Sequence, residues 1–114
     1  MLRINDILDK VQPYLTPSEV GMIEKAYIFS ASVHQGQIRL SGEAYLTHPM
    51  EVCGILADMK LDAATLVTGL LHDTVEDTLA TQEQIEEAFG KEVAFLVDGL
   101  TKISKITLGN QEER

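Results

Sequence analysis

Cysteine occurs once in the 114 residues, so no intrachain disulfide can form. That residue, Cys53, sits among Val52, Ile55 and Leu56, which favours an inert core thiol over a nucleophile. Bases are also scarce: 9 Lys and Arg stand against 18 Asp and Glu, for a net charge of −9. They are scattered singly, with no interleaved aromatics, which argues against duplex or single-stranded nucleic acid as a partner. A small phosphorylated ligand is compatible with this charge if a bound cation or a few well-placed bases offset the repulsion. Long apolar runs are missing too. The longest, 63–71, is far too short to cross a bilayer, and the N-terminal "MLRINDILDK" is charged where a signal peptide is apolar. These absences predict a soluble, cytoplasmic protein with no membrane partner. Sustained period-two alternation and internal repeats are absent as well, which removes the main signals for a sheet or a solenoid.

What is present is the punctuation of helices, in a chain whose length and 45% hydrophobic content suit one domain with a real core. Thr16-Pro17-Ser18-Glu19 supplies an N-cap, a proline at the first helical position and a glutamate three residues after the cap. The apolar positions Val20, Ile23, Tyr27 and Ala31 carry that helix to about His34. Thr81 to Gln84 repeats the capping signature, and Gly90 closes the short helix that follows. Val93, Leu96, Val97, Leu100 and Ile103 mark one face of a further helix. The fold class is all-α.

In the middle of the chain, Thr47 can cap a helix containing His48 and Pro49, with the stripe Val52, Ile55, Leu56 and Met59. After Lys60-Leu61, Asp62 can cap the next, with the stripe Ala63, Leu66, Val67 and Leu70. At 1.5 Å per residue the first helix travels roughly 16 Å from His48 to the turn, and the second returns roughly 15 Å to His72. Packed antiparallel, they bring the two histidines level. This matters because "GLLHDTVEDT", residues 69–78, sets His72, Asp73, Glu76 and Asp77 directly against an apolar run. Buried charge costs several kcal/mol unless it is paired. Two imidazoles and a carboxylate converging on one point suit a borderline or hard divalent ion such as Mn²⁺, Fe²⁺ or Zn²⁺. His34, near the end of its helix, reads instead as a structural residue interacting with the helix dipole. The loop "RLSGEAYLTHP", residues 39–49, places Arg39 and Ser41 on the way into His48, where ligand contacts concentrate.

Taken together, "SGEAYLTHP", "GLLHDTVEDT" and "FGKEVAFLVDGLTKI", with the spacings between them, resemble the hydrolase domain of the RelA/SpoT homologues, within the HD metal-dependent phosphohydrolase superfamily. The resemblance covers nearly the whole chain. It implies an all-α HD-domain bundle that removes the 3′-pyrophosphate of (p)ppGpp, yielding GDP or GTP and pyrophosphate. Position by position, it makes His48, His72 and Asp73 metal ligands, usually for Mn²⁺. It makes Glu76 and Asp77 the acidic pair that supports the attacking water, and Arg39 and Ser41 the residues that hold the guanine, the arginine by stacking on its plane.

Two positions depart from the family pattern: Leu40 replaces a second basic residue and Ala44 replaces a proline. The family's fourth metal ligand, an aspartate on a later helix, has no counterpart before Arg114, and Asp98 reads as a solvated or capping residue. Residues 1–114 are therefore expected to be the front part of a single hydrolase domain, C-terminally incomplete and impaired alone. Its apolar face around Val93 to Ile103 would be left open to self-association. The competing expectation is a non-catalytic helical module that binds a nucleotide or regulates a partner protein.

Overall fold

A computed structural model describes the backbone of residues 2–34, 47–78 and 80–112, and all of their side chains except those of 76, 77 and 104–112. Seven helices and no strand occur among the described residues: α1 (Ile4–Val11), α2 (Pro17–Val33), α3 (Thr47–Asp58), α4 (Ala63–Leu71), α5 (Thr74–Asp77), α6 (Gln82–Phe89) and α7 (Lys91–Glu112). The capping chemistry explains where several begin. The Thr16 hydroxyl accepts the Glu19 amide N–H at 3.2 Å while the Glu19 carboxylate accepts that of Thr16 at 2.9 Å. Thr81 and Gln84 repeat the exchange at α6, and Gly90 ends that helix at φ 95°. Asp62 caps α4 by accepting the Thr65 amide at 3.2 Å. Thr47, read from the sequence as a cap, is itself the first residue of α3.

The organising element is α4, packed against α2, α3 and α7, while α1 lies across α2 and α3 and α6 lies on α7. Every residue of α4 from Leu66 to Leu71 is buried, so the helix is core on all sides. Burial of Leu66 and Leu70 contributes about 1.5–3 kcal/mol each. Cys53 is fully buried beside it, and burial pushes its thiol pKa up to about 12, which keeps it protonated and inert.

Two helix faces differ from the periodicity. In α3 the core side is Pro49, Met50, Cys53, Gly54 and Ala57, whereas Ile55 and Met59 of the expected stripe are about three-fifths exposed (60% and 63%). The inward residues are mostly small because α3 is approached from two sides. A Cβ on Gly54 would lie 2.6 Å from Leu2, and one on Gly69 of α4 would lie 2.9 Å from Leu56. Among the described side chains of α7 the buried ones are Val93, Ala94, Val97 and Thr101, and Leu100 and Ile103 lie with Phe95 on an exposed flank. Among these residues the contacts with α4 and α6 cover a narrow stripe, and the large apolar side chains border it.

The α3–α4 turn carries one strained residue. The Leu61 amide bonds to the Leu56 carbonyl and the Lys60 amide to that of Ala57, the bond pattern of a Schellman C-cap. Its left-handed position is filled by Lys60 at φ 58°. The Tyr14 hydroxyl, donating to the Leu61 carbonyl at 2.9 Å, and the Lys10–Asp58 ion pair at 2.8 Å hold this end of the hairpin. A non-glycine residue in this region costs about 1 kcal/mol, so Lys60→Gly is expected to stabilise the fold by about 0.5–1 kcal/mol. The corresponding rise is about 2–6 °C in Tm by thermal unfolding; an unchanged or lower Tm would show that the turn is not strained.

Candidate metal centre

The hairpin of α3 and α4 brings His48, in the first turn of α3, level with His72 at the end of α4. Their ring centroids are 5.3 Å apart at an interplanar angle of 64°. Asp73 follows at the N-cap position of α5, yet its carboxylate makes no capping bond. It faces the imidazole instead, with Oδ2 3.2 Å from His72 Nε2. Ligand atoms of His48, His72 and Asp73 all lie within 4.8 Å of one another, and the three residues are half-buried.

The hydrogen bonding of His72 bears on what this cluster can hold. Its Nδ1 is 2.7 Å from the Gly69 carbonyl, which can only accept, so Nδ1 carries the hydrogen and Nε2 presents a lone pair in the neutral ring. Nε2 then meets a carboxylate oxygen, and two acceptors at that separation repel unless a cation, a proton or a metal ion, lies between them. This is the arrangement of a metal-ligating histidine with its other nitrogen fixed by a carbonyl. An ion 2.0–2.2 Å from each ligand spans at most about 4.4 Å between ligands, so small side-chain rotations close the set. Asp73 is prepared for that role electrostatically. With a proton in that place the His72 ring is charged and donates to Asp73; burial opposes the carboxylate, but this hydrogen bond and the charges of protonated His72, His48 and His34 outweigh it and hold the carboxyl below its usual range. Its contribution to stability is therefore fully present above the ordinary carboxylate pKa and is lost as pH falls through the depressed one.

His34 differs in part from the sequence reading. It does cap the end of α2, but it is only 5% exposed and close enough for its charge to act on Asp73. The signal was present in the sequence: Ile23, Ala26, Ser30 and His34 form the stripe that α2 actually buries. It is not one of the three clustered ligands, and among the described residues no fourth His, Cys, Asp or Glu joins them. Asp98 is engaged elsewhere, paired with Lys102 at 2.9 Å. Glu76 and Asp77 belong to α5, directly after Asp73, and their side chains lie outside the described residues. Arg39 and Ser41 also lie outside them, in the segment 35–46.

Gly69 also went unnoticed in the sequence, although its carbonyl orients His72 and its missing side chain lets α3 approach. A Cβ there would meet the tip of the Leu56 side chain at 2.9 Å and Val52 at 3.4 Å. The Leu56 tip can rotate away, and alanine favours a helix, so Gly69→Ala is expected to stay within about 1 kcal/mol of the parent. Gly69→Val has no such escape and is expected to lose about 1–3 kcal/mol in denaturant unfolding. Equal stability of the two variants would show that α3 and α4 are not closely packed here.

The pattern described as "HD domain" matches residues 26–114. Similar proteins include a GTP pyrophosphokinase of Myxococcus xanthus, 58% identical in an alignment of 107 residues that covers 91% of this chain and 14% of that protein. Another is the bifunctional (p)ppGpp synthase/hydrolase SpoT of Escherichia coli K12, 46% identical over 103 residues, 90% of this chain and 15% of that one. The guanosine-3′,5′-bis(diphosphate) 3′-pyrophosphohydrolase of Escherichia coli O157:H7 matches to the same extent. The chain is an HD domain of the RelA/SpoT family. It spans only 14–15% of the length of these relatives. HD domains bind divalent metals, and in this HD domain the helical hairpin assembles a His-His-Asp set able to hold one. Among the described residues no helix is long and apolar enough to cross a membrane.

Proposed function

We propose that this HD domain holds Mn²⁺ through His48, His72 and Asp73 and hydrolyses the 3′-pyrophosphate of (p)ppGpp, releasing GDP or GTP and pyrophosphate. The observation that carries the reading is the convergence of those three ligands, with His72 Nε2 and Asp73 Oδ2 facing each other, in a domain whose relatives include proteins named for this hydrolysis. The mixed nitrogen and oxygen donor set suits Mn²⁺. Bound there, the ion would act as a Lewis acid, lowering the pKa of water and drawing charge from the reacting phosphoryl oxygens.

The chain's own residues supply the rest. Glu76 or Asp77 accepts the proton of the attacking water, as a nearby carboxylate can do without a histidine base. The Asp73 carboxylate offsets the ion's charge, and the Gly69 carbonyl holds the His72 ring. Arg39 stacks its guanidinium on the guanine and Ser41 hydrogen-bonds to it. In support, Arg39 and Ser41 lie in sequence between His34, whose charge acts on Asp73, and Thr47, which directly precedes the ligand His48.

The decisive assay is release of pyrophosphate from ppGpp by the protein as its gene encodes it, with Mn²⁺ and with chelator. Release that requires the ion is expected; equal turnover in chelator would sink the reading. Arg39 is tested in the same assay, because lysine keeps the charge and loses the plane. Arg39→Lys is expected to raise KM for ppGpp about tenfold while kcat falls less, as when ground-state and transition-state binding are lost together. A substrate with a pyrophosphate and no base should be affected less. An unchanged KM for ppGpp would return Arg39 to an ordinary loop residue.

A further inference from the structure

Two residues of "GLLHDTVEDT" have no part in the chemistry above: Thr74 and Thr78, which flank Val75, Glu76 and Asp77. Their hydroxyls link three consecutive elements. The fully buried Thr74 Oγ1 donates to the Leu71 carbonyl of α4 at 2.8 Å. The Thr74 carbonyl in turn accepts from Thr78 Oγ1 at 2.5 Å and from the Thr78 amide at 3.1 Å. Thr78 Oγ1 then accepts the Ala80 amide at 3.0 Å, one residue before the Thr81 cap of α6.

This chain of hydrogen bonds spans α5, which has four residues. A single helical turn has no stability of its own, because fixing its dihedrals costs more than its one or two hydrogen bonds return. The usual local remedy is an N-cap side chain, and here it is diverted: Asp73 occupies that position and turns its carboxylate to His72. Among the described residues, Val75 packs on the core and the threonine hydroxyls tie the turn to its neighbours on both sides.

We infer that Thr74 and Thr78 are positioning residues that fix α5, and with it Glu76 and Asp77, relative to Asp73 and the end of α4. The inference rests on the reading in which the acidic pair acts on the attacking water. Neither threonine contacts the ion or the substrate. Their contribution is to the placement of the acids, so they should affect turnover without affecting metal or nucleotide affinity.

Thr78→Val keeps the shape and removes both the donor and the acceptor, whereas Thr78→Ser keeps both. Each is compared with the parent, in the protein as its gene encodes it, for kcat and KM on ppGpp, for Mn²⁺ affinity by titration calorimetry and for Tm. Thr78→Val is expected to lower kcat about 10–100-fold, the cost typical of losing an outer hydrogen bond or of a small misplacement, with KM and Mn²⁺ affinity near parental values. Thr78→Ser is expected to restore kcat to within about threefold of the parent, the hydroxyl being retained. A kcat for Thr78→Val within about twofold of the parent overturns the inference, since a lost positioning bond costs more. So does a serine variant as slow as the valine variant, or a joint fall of kcat, metal affinity and Tm, which would mark a general loosening. Glu76→Gln and Asp77→Asn serve as controls. If both keep the parental kcat, the acid-pair reading fails and this inference with it; if they lose kcat while Thr78→Val does not, only the positioning role fails.

Discussion

Asp73→Ala is expected to abolish stabilisation of the fold by Mn²⁺. A ligand that binds only the folded state stabilises it by RT ln(1 + [L]/Kd), about 2.7 kcal/mol at a hundredfold excess over Kd. In a domain of this size that is roughly 8–15 °C in Tm. Asp73 is the one carboxylate in the His48, His72 and Asp73 set, and its charge is what offsets that of the ion. Its removal leaves two neutral donors, so affinity should fall by at least about 100-fold and the Tm rise should disappear. The metal-free proteins should differ far less, because the His72 and Asp73 side chains keep 20% and 24% of their surface exposed and water can reach what remains. Thermal unfolding of parent and variant, each with Mn²⁺ and with chelator, separates the two effects. His72→Ala should behave in the same way. A parent with no metal-dependent shift, or a variant with the same shift, would remove these residues from the ligand set.

The second large effect is on turnover. Replacing either acid of the pair by its amide, Glu76→Gln or Asp77→Asn, removes a proton acceptor while keeping size and hydrogen-bonding capacity. If one of them takes the proton from water, its loss should lower kcat by about 10²–10⁴-fold, the usual contribution of a general base. Mn²⁺ affinity should remain within about threefold of the parent, since neither is a ligand in this reading. Both are measured on the protein as its gene encodes it. Parental kcat in both amide variants would mean that the base lies elsewhere. Affinity falling in parallel with kcat would make the altered residue a ligand.

The hairpin that sets this chemistry was legible from residues alone. Asp62 as a cap, apolar stripes of matching length and a histidine at each open end led to the level His48 and His72 that the structure shows, because helix rise is nearly invariant. The capping boxes at Thr16 and Thr81 marked their helices for the same reason: they are local devices with fixed spacing. Less legible was everything that depends on which neighbour approaches. Gly54 and Ala57 face inward in α3, and Ile55 and Met59 do not, because close approach by α1 and α4 favours small side chains over large ones. Hydropathy alone gives the opposite answer. The burial of His34 is hidden in the same way, since a histidine at a helix end looks solvated until the partner helix is in place. The amphipathic α1 reads in the sequence as a charged N-terminus, although Ile7, Leu8 and Val11 are its buried face. The one-turn α5 is too short for periodicity to register.

The placement of the ligands on a single hairpin also affects the order of events as the chain folds. Contacts close in sequence form early, because little loop-closure entropy has to be overcome before they are made. Helices α3 and α4 are consecutive, pack against each other and are joined by a tight turn. His48 and His72 therefore meet as soon as these two helices zip together, before α7 has to dock on α4. A divalent ion present during folding would find most of its donors in a partly formed protein, and by holding the open end of the hairpin it would accelerate folding as well as slow unfolding.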